Sequence, residues 1–158
     1  MSRHITGIKQ AWTLQETPVP AWERQRKRLK GVRGRGLRFE RAVGRWLVRA
    51  GHLPKLGQWY RFIDKNGPGT AQTDIELHFP THVLLLECKL SYNLEAYKQL
   101  EDLYMPILSM VYDKPVVGIQ VVKFISPRAV SGVQIVDSLE PYMSQSRQSS
   151  RLVYQHLL

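Results

Sequence analysis

Asp74, Glu87 and Lys89 are the residues of this 158-residue chain whose types and spacing could do chemistry. Glu87 and Lys89 lie in residues 82–90 (HVLLLECKL), which read as a strand, and residues two apart in a strand share a face. They therefore project together, while Cys88 between them points the other way. Asp74 lies in the preceding strand candidate, residues 71–79, and pairing of the two strands brings it to the same edge. Two converging carboxylates form an oxygen-rich pocket for a hard divalent cation, Mg²⁺ with Mn²⁺ as its substitute, and the lysine adds one positive point charge. This set suits phosphodiester hydrolysis: the cation polarises the phosphate and acidifies a bound water, and the lysine orients the nucleophile or stabilises developing charge. An E-x-K pair alone is equally a same-face ion pair at a strand end. The weight comes from the aspartate on the strand before, the long helix expected after, and the apolar run Val83-Leu84-Leu85-Leu86 leading into Glu87. Carboxylates at the end of a buried strand are costly unless a metal or a partner neutralises them.

Positioning these groups requires a core, and the hydrophobic pattern supplies one. Leu37, Phe39, Ala42, Val43, Trp46, Leu47 and Ala50 recur at helical spacing up to Gly51, a natural helix stop, with Pro54 just beyond. Residues 59–65, 71–79 and 82–90 read as a three-stranded meander, with Asn66-Gly67-Pro68-Gly69 as the first turn. Residues 94–111 carry apolar positions at three- and four-residue steps, so a helix is expected there, kinked or divided by Pro106. A buried strand over 115–125, an edge strand over 132–136 and a helix in the last twenty residues complete the reading. The fold class is α/β, a sandwich with a mixed central β-sheet flanked by helices. The expected organisation is an extended arm (1–23), a basic phosphate-contacting segment (24–36), a catalytic core (37–136) and a C-terminal helical segment (137–158).

The charge is unevenly placed. The chain carries 23 Lys and Arg against 13 Asp and Glu, a net charge of +10, yet residues 24–49 hold eleven of the basic residues and one acid, Glu40. The remainder is neutral, so the whole excess lies in this stretch. Nine of the eleven are arginine, whose flat guanidinium suits phosphate oxygens. A polyanion is the implied partner, since generic solubility would not need so local an excess. Lys30, Arg33, Arg35, Arg38 and Arg41 are the expected DNA contacts. Gly31, Gly34 and Gly36 are expected to keep the segment out of a helix and let its backbone approach phosphates.

Together these residues resemble the PD-(D/E)xK nuclease superfamily over roughly residues 30–125. The resemblance implies a restriction-endonuclease-like sandwich in which Glu40, Asp74, Glu87, Lys89 and Gln99 are catalytic. It also implies a metal shell of Asp74 and Glu87, extended by Glu40 from the first helix and by the backbone carbonyl of Cys88. Gln99, in YKQLEDLY, matches a glutamine the family often carries in the helix after its lysine. The proline that often precedes the family's aspartate is replaced by Thr73. A narrower likeness is to archaeal-type Holliday junction resolvases: Lys30-Gly31 leads into Gly36-Leu-Arg-Phe-Glu40-Arg41, and Gly51 closes the helix. The arm, and the stretch between Glu40 and Asp74, are longer than in those enzymes. The resemblance implies a metal-dependent, structure-specific endonuclease that cuts DNA four-way junctions; two symmetric cuts then call for a homodimer, whose pairing surface is expected from apolar residues the core does not need, around Trp12 and Trp22 and at the C-terminal Leu152, Val153, Tyr154, Leu157 and Leu158. A duplex-cutting restriction or repair nuclease, and a basic DNA-binding protein on an inactive scaffold, are the rivals.

Other features point away from further chemistry. The single cysteine excludes an internal disulfide framework and a multi-cysteine zinc site. The five histidines show no paired ligand spacing. Asp64 and Glu76 read as a solvated strand end, and Tyr92, Tyr97 and Tyr104 as packing. No apolar run reaches the roughly 18–20 residues of a membrane span, and the first residues lack the apolar stretch of a secretory signal. The expected location is cytoplasmic: nucleoid-associated or, for a viral protein, the host cytoplasm.

Overall fold

The computed structural model of the chain describes residues 7–14, 31–125, 128–129, 132–143 and 152–154. In chain order these form β1 (Gln10–Thr13), α1 (Gly31–Arg49), β2 (Lys55–Leu56), β3 (Trp59–Asp64), β4 (Gly67–Gln72), β5 (Ile75–His78) and β6 (Val83–Lys89). Then follow α2 (Leu94–Gln99), a π-helical turn (Leu100–Tyr104), α3 (Met105–Tyr112), β7 (Val116–Val122), β8 (Phe124–Ile125), β9 (Arg128–Ala129), α4 (Gly132–Met143) and β10 (Leu152–Tyr154).

The central sheet is mixed, in the order β10-β7-β6-β5-β2, with β5–β6 antiparallel and β6–β7 parallel. Its middle strands are buried on both faces, which explains their unbroken apolar runs. Alternation along β6 sends Leu84, Leu86 and Cys88 to one side, where they meet Phe39, Val43 and Leu47 of α1 and Leu139 and Met143 of α4. Val83 and Leu85 face the other side, against Leu100, Leu103, Ile107 and Leu108. Each such side chain contributes about 1.5–3 kcal/mol on burial. Helices thus cover both faces, and the expected α/β architecture with a mixed sheet is observed. No helix among the described residues is long and apolar enough to cross a membrane.

The meander is present but bent. Strands β3 and β4 belong to a second sheet, ordered β1-β3-β4, while β2 and β5 belong to the central one. One long hairpin passes between the two sheets, held across the bend by Gly57 N–H to Asp74 O and Thr73 N–H to Gln58 O, both 3.0 Å. Gly57 takes φ +61°, a left-handed value that glycine adopts without penalty. Asp74 sits on this bend.

Several local expectations are corrected. Residues 31–36 are helical, so α1 starts within the segment expected to be a loop. The hairpin turn is Lys65-Asn66, and Pro68 and Gly69 lie inside β4. A proline is tolerated there because β4 is an edge strand, so its missing N–H breaks no ladder. Residues 132–136 begin α4 instead of forming an edge strand, and Leu152–Tyr154 form β10, parallel to β7, instead of helix. Pro106 does divide its helix: the π-helical turn precedes it, with Met105 N–H bonded to Leu100 O. Of the expected arm, Gln10–Thr13 is indeed extended and pairs with β3. Trp22 and most of the remaining arm lie outside the described residues, as do residues 24–30, Leu157 and Leu158.

Candidate active site

The β5–β6 register pairs Ile75 with Leu86, and one further step along both strands sets Asp74 opposite Glu87. The backbone N–H of Cys88 donates to Asp74 Oδ2 at 2.8 Å, pinning that carboxylate against β6. Glu87 is buried, 4% exposed, and its Oε1 stands 3.5 Å from Lys89 Nζ. Its other oxygen, Oε2, is buried and has no hydrogen-bond partner among the described residues. Lys89, more than a third exposed, connects the pair to solvent. The structure therefore brings together the three residues singled out from the sequence.

Burial pushes both carboxyls upward. For Asp74, desolvation outweighs the lowering effects of the Cys88 N–H and of Lys89. For Glu87, desolvation leads and the negative charge of Asp74 adds to it, so its carboxyl lies well above the usual range despite Lys89. Glu40 contributes a further upward push at Glu87, and also at the buried Cys88 thiol, which is raised first by its own burial. The half-buried Glu40, on α1, is thus near enough for its charge to be felt. Gln99 ends α2 and is half-buried; among the described residues no hydrogen bond joins it to either carboxylate. The Cys88 sulfur points into the core on the α1 side, as alternation requires. Arg35, Arg38 and Arg41 lie on α1, and Arg33 in its first turn, while Lys30 falls outside the described residues.

Among the described residues, no three His, Cys, Asp or Glu side chains cluster closely enough to hold a metal ion. Two carboxylates still fit one kind of cation. Mg²⁺ binds through one or two carboxylates and keeps several waters, taking further oxygens from substrate phosphates. The buried, unpartnered Glu87 Oε2 is an acceptor of the hard type such an ion requires.

The sequence reading missed two contributors. Tyr104, expected only to pack, has its hydroxyl pushed up first by burial and then by the charges of Glu87 and Asp74. It stands near the pair as a neutral donor, set there by the π-helical turn that it ends. Gln120 is paired with Glu87 in register and is fully buried. Its side chain accepts from Asn93 N–H at 2.9 Å and donates to Asn93 O at 2.8 Å. Asn93 Oδ1 in turn accepts from Ala96 N–H and caps α2. A lone glutamine in the apolar run PVVGIQVV was the available signal.

Glu76 and Asp64 are buried, not solvated. The Glu76 carboxylate accepts from Tyr60 at 2.6 Å and from Thr73 at 2.5 Å, and lies 2.7 Å from His78 Nε2. Its needs are met, in contrast to those of Glu87. Asp64 Oδ1 accepts from Asn66 N–H in the hairpin turn at 2.8 Å. Comparison of the chain with family models, curated proteins and solved structures finds no match.

Proposed function

We propose that this protein is a Mg²⁺-dependent DNA endonuclease with Asp74, Glu87 and Lys89 as its catalytic residues and four-way junctions as its substrate. The observation that carries the reading is the buried Glu87 Oε2, with no partner among the described residues, opposite Asp74 and beside Lys89. A fold does not leave a carboxylate oxygen desolvated and unsatisfied without cost, and a divalent cation is the occupant that supplies the missing partner.

In this reading Asp74 and Glu87 would hold the cation, with the Cys88 carbonyl as a further oxygen, and Glu40, which forms no three-carboxylate cluster with them among the described residues, would act through its charge. A divalent cation held there would supply Lewis-acid chemistry, polarisation of the scissile phosphate and a more acidic bound water. Lys89 Nζ, at the solvent edge of the pair, orients the attacking water and balances the charge that grows on the phosphoryl oxygens. Tyr104, kept protonated by its surroundings, can donate to a phosphate oxygen. Gln120 holds the loop between β6 and α2, and through it the start of the helix that carries Gln99. The arginines of α1 supply the attraction for the polyanion.

The test is cleavage of labelled four-way junctions, linear duplex and single strands by the purified protein, with Mg²⁺, with Mn²⁺ and with chelator. Asp74→Asn and Glu87→Gln are expected to abolish cleavage while leaving DNA affinity within a few-fold, and Lys89→Ala to do the same. Near wild-type cleavage by either carboxylate variant overturns the assignment. Binding without cleavage by the unmodified protein in either metal makes it a DNA-binding protein on an inactive scaffold.

A further inference from the structure

The basic excess marked out by the sequence continues along helix α1 beyond the segment expected to contact phosphate. Arg35, Arg38, Arg41, Arg45 and Arg49 recur along it at three- and four-residue steps. At about 100° per residue they fall within an arc of about 120°, its centre about 140° around the helix from that of the buried Phe39, Val43 and Leu47. The arc holds no acid, and among the described residues none of the five forms an ion pair.

This arrangement is unfavourable for the helix on its own. Arg35/Arg38, Arg38/Arg41, Arg41/Arg45 and Arg45/Arg49 are like-charge neighbours, each costing about 0.2–0.5 kcal/mol. The first turn has no acid to complement the helix dipole, and only Arg49 sits at the end where a cation is favoured. A face built only for solvation would mix signs. One that meets phosphates would not.

The direction of the helix is fixed by its packing. Phe39 shares a core with Cys88, beside the catalytic carboxylates. At the other end, His52 meets the ring of Phe79, which stacks on His82 just before β6 begins. The stripe therefore starts at the carboxylate end of β6 and runs to the opposite end of the sheet. From Arg35 to Arg49 it is about 21 Å long at 1.5 Å per residue, the axial length of about six base pairs.

We infer that the solvent face of α1 is a phosphate-binding track for duplex DNA, in which Arg45 and Arg49 hold a stretch of duplex leading away from the catalytic pair. The track rests on the proposed DNA substrate but not on catalysis, so it can be tested by binding alone in chelator. Arg45→Gln/Arg49→Gln is expected to keep its fold by circular dichroism. Its log-log salt slope for duplex and junction DNA should flatten by about 1.8, or about 0.9 for each phosphate no longer neutralised. Arg61→Gln, an exposed arginine on β3, should leave the slope unchanged. An unchanged slope in the double variant, or an equal flattening in Arg61→Gln, overturns the track.

Its direction can be read separately. Cys88, the one cysteine, is buried, so Arg35→Cys and Arg49→Cys can each be labelled with a tethered iron chelate. On a four-way junction the two probes should cut the same arm about six base pairs apart. Cuts at the same position, or on different arms, overturn the direction. A flattened slope beside an absence of cleavage in Mg²⁺ would leave the track standing and remove the nuclease reading.

Discussion

Glu87 is buried with one oxygen unsatisfied among the described residues, and that makes its state measurable without DNA. Its folded-state carboxyl is raised by burial and by Asp74, and Asp74 is raised by burial as well. A carboxyl with a raised folded value binds more protons folded than unfolded between its ordinary and its raised value. Stability of the metal-free protein therefore falls as pH rises through that window, and is fully regained below the ordinary carboxylate range as far as these two groups are concerned. Thermal unfolding in chelator is expected to show this decline from about pH 4 upward. Glu87→Gln should flatten it and raise the neutral-pH stability of the metal-free protein by about 1–2 kcal/mol, or about 2–4 °C per kcal/mol for a domain of this size. Mg²⁺ should raise the melting temperature of the unmodified protein at neutral pH and have no effect on the variant. A metal-free protein that grows more stable with rising pH contradicts the burial argument. The contrast with Glu76 sharpens the point: it is equally buried, but Tyr60, Thr73 and His78 surround its oxygens. The sequence marks out Glu87 by the apolar run before it and by Lys89 two residues on, but it does not show that Glu76 is buried too, and only the folded neighbours decide which of the two is left wanting.

At the level of elements, what the sequence made legible was whatever depends on a local period. The apolar runs of β6 and β7 and the 3.6-residue stripe of α1 each fix an element and its buried face. The convergence of Asp74 with Glu87 followed from strand alternation and adjacency alone. The illegible parts depend on neighbours far along the chain. The hairpin's crossing between two sheets is invisible because both halves alternate alike. The strand expected at GVQIV is a helix because α4 lays Leu139 and Met143 on the face also covered by α1, and a five-residue apolar window cannot distinguish the two uses. The same holds for Gly31, Gly34 and Gly36, whose propensity argues for a loop while the observed helix includes them. Gly36 offers a direct test, because a β-carbon there would meet nothing within 4 Å and Gly36→Ala adds helix propensity without a clash. The substitution should stabilise the protein by about 0.5–1 kcal/mol in denaturant unfolding. A loss of stability would mean that residues 31–36 are not helical in solution.

For the whole molecule the question is how one small chain could act on a branched substrate. A four-way junction is resolved by two symmetric cuts, and the chain offers one candidate pair, Asp74 and Glu87, for the proposed chemistry. The working unit should then be a C2 dimer, whose two sites nick opposing strands before the junction falls apart. Part of the surface expected to form that dimer is used otherwise: Leu152–Tyr154 pair with β7 as the edge strand of the central sheet. At the other edge, β2 is two residues long and a poor template for strand pairing. At three and two residues, both edge strands are short templates for edge-to-edge extension. Trp12 remains, on β1, the outer strand of the small sheet, and at 40% exposure it is a large aromatic that the core does not need. The expectation is a dimer held through this sheet, with the arginine tracks of its two α1 helices fixed relative to each other. Such fixed geometry selects DNA by shape, through phosphates on either side of the branch point, so a four-way junction should be cut at least about tenfold faster than a linear duplex of the same sequence. Trp12→Glu should shift the protein toward monomer in light scattering and lower junction cleavage in proportion, while leaving single nicks in linear duplex little changed. Equal rates on the two DNAs, or a monomer at concentrations where junctions are cut, would remove the junction reading and favour a nuclease that acts on plain duplex.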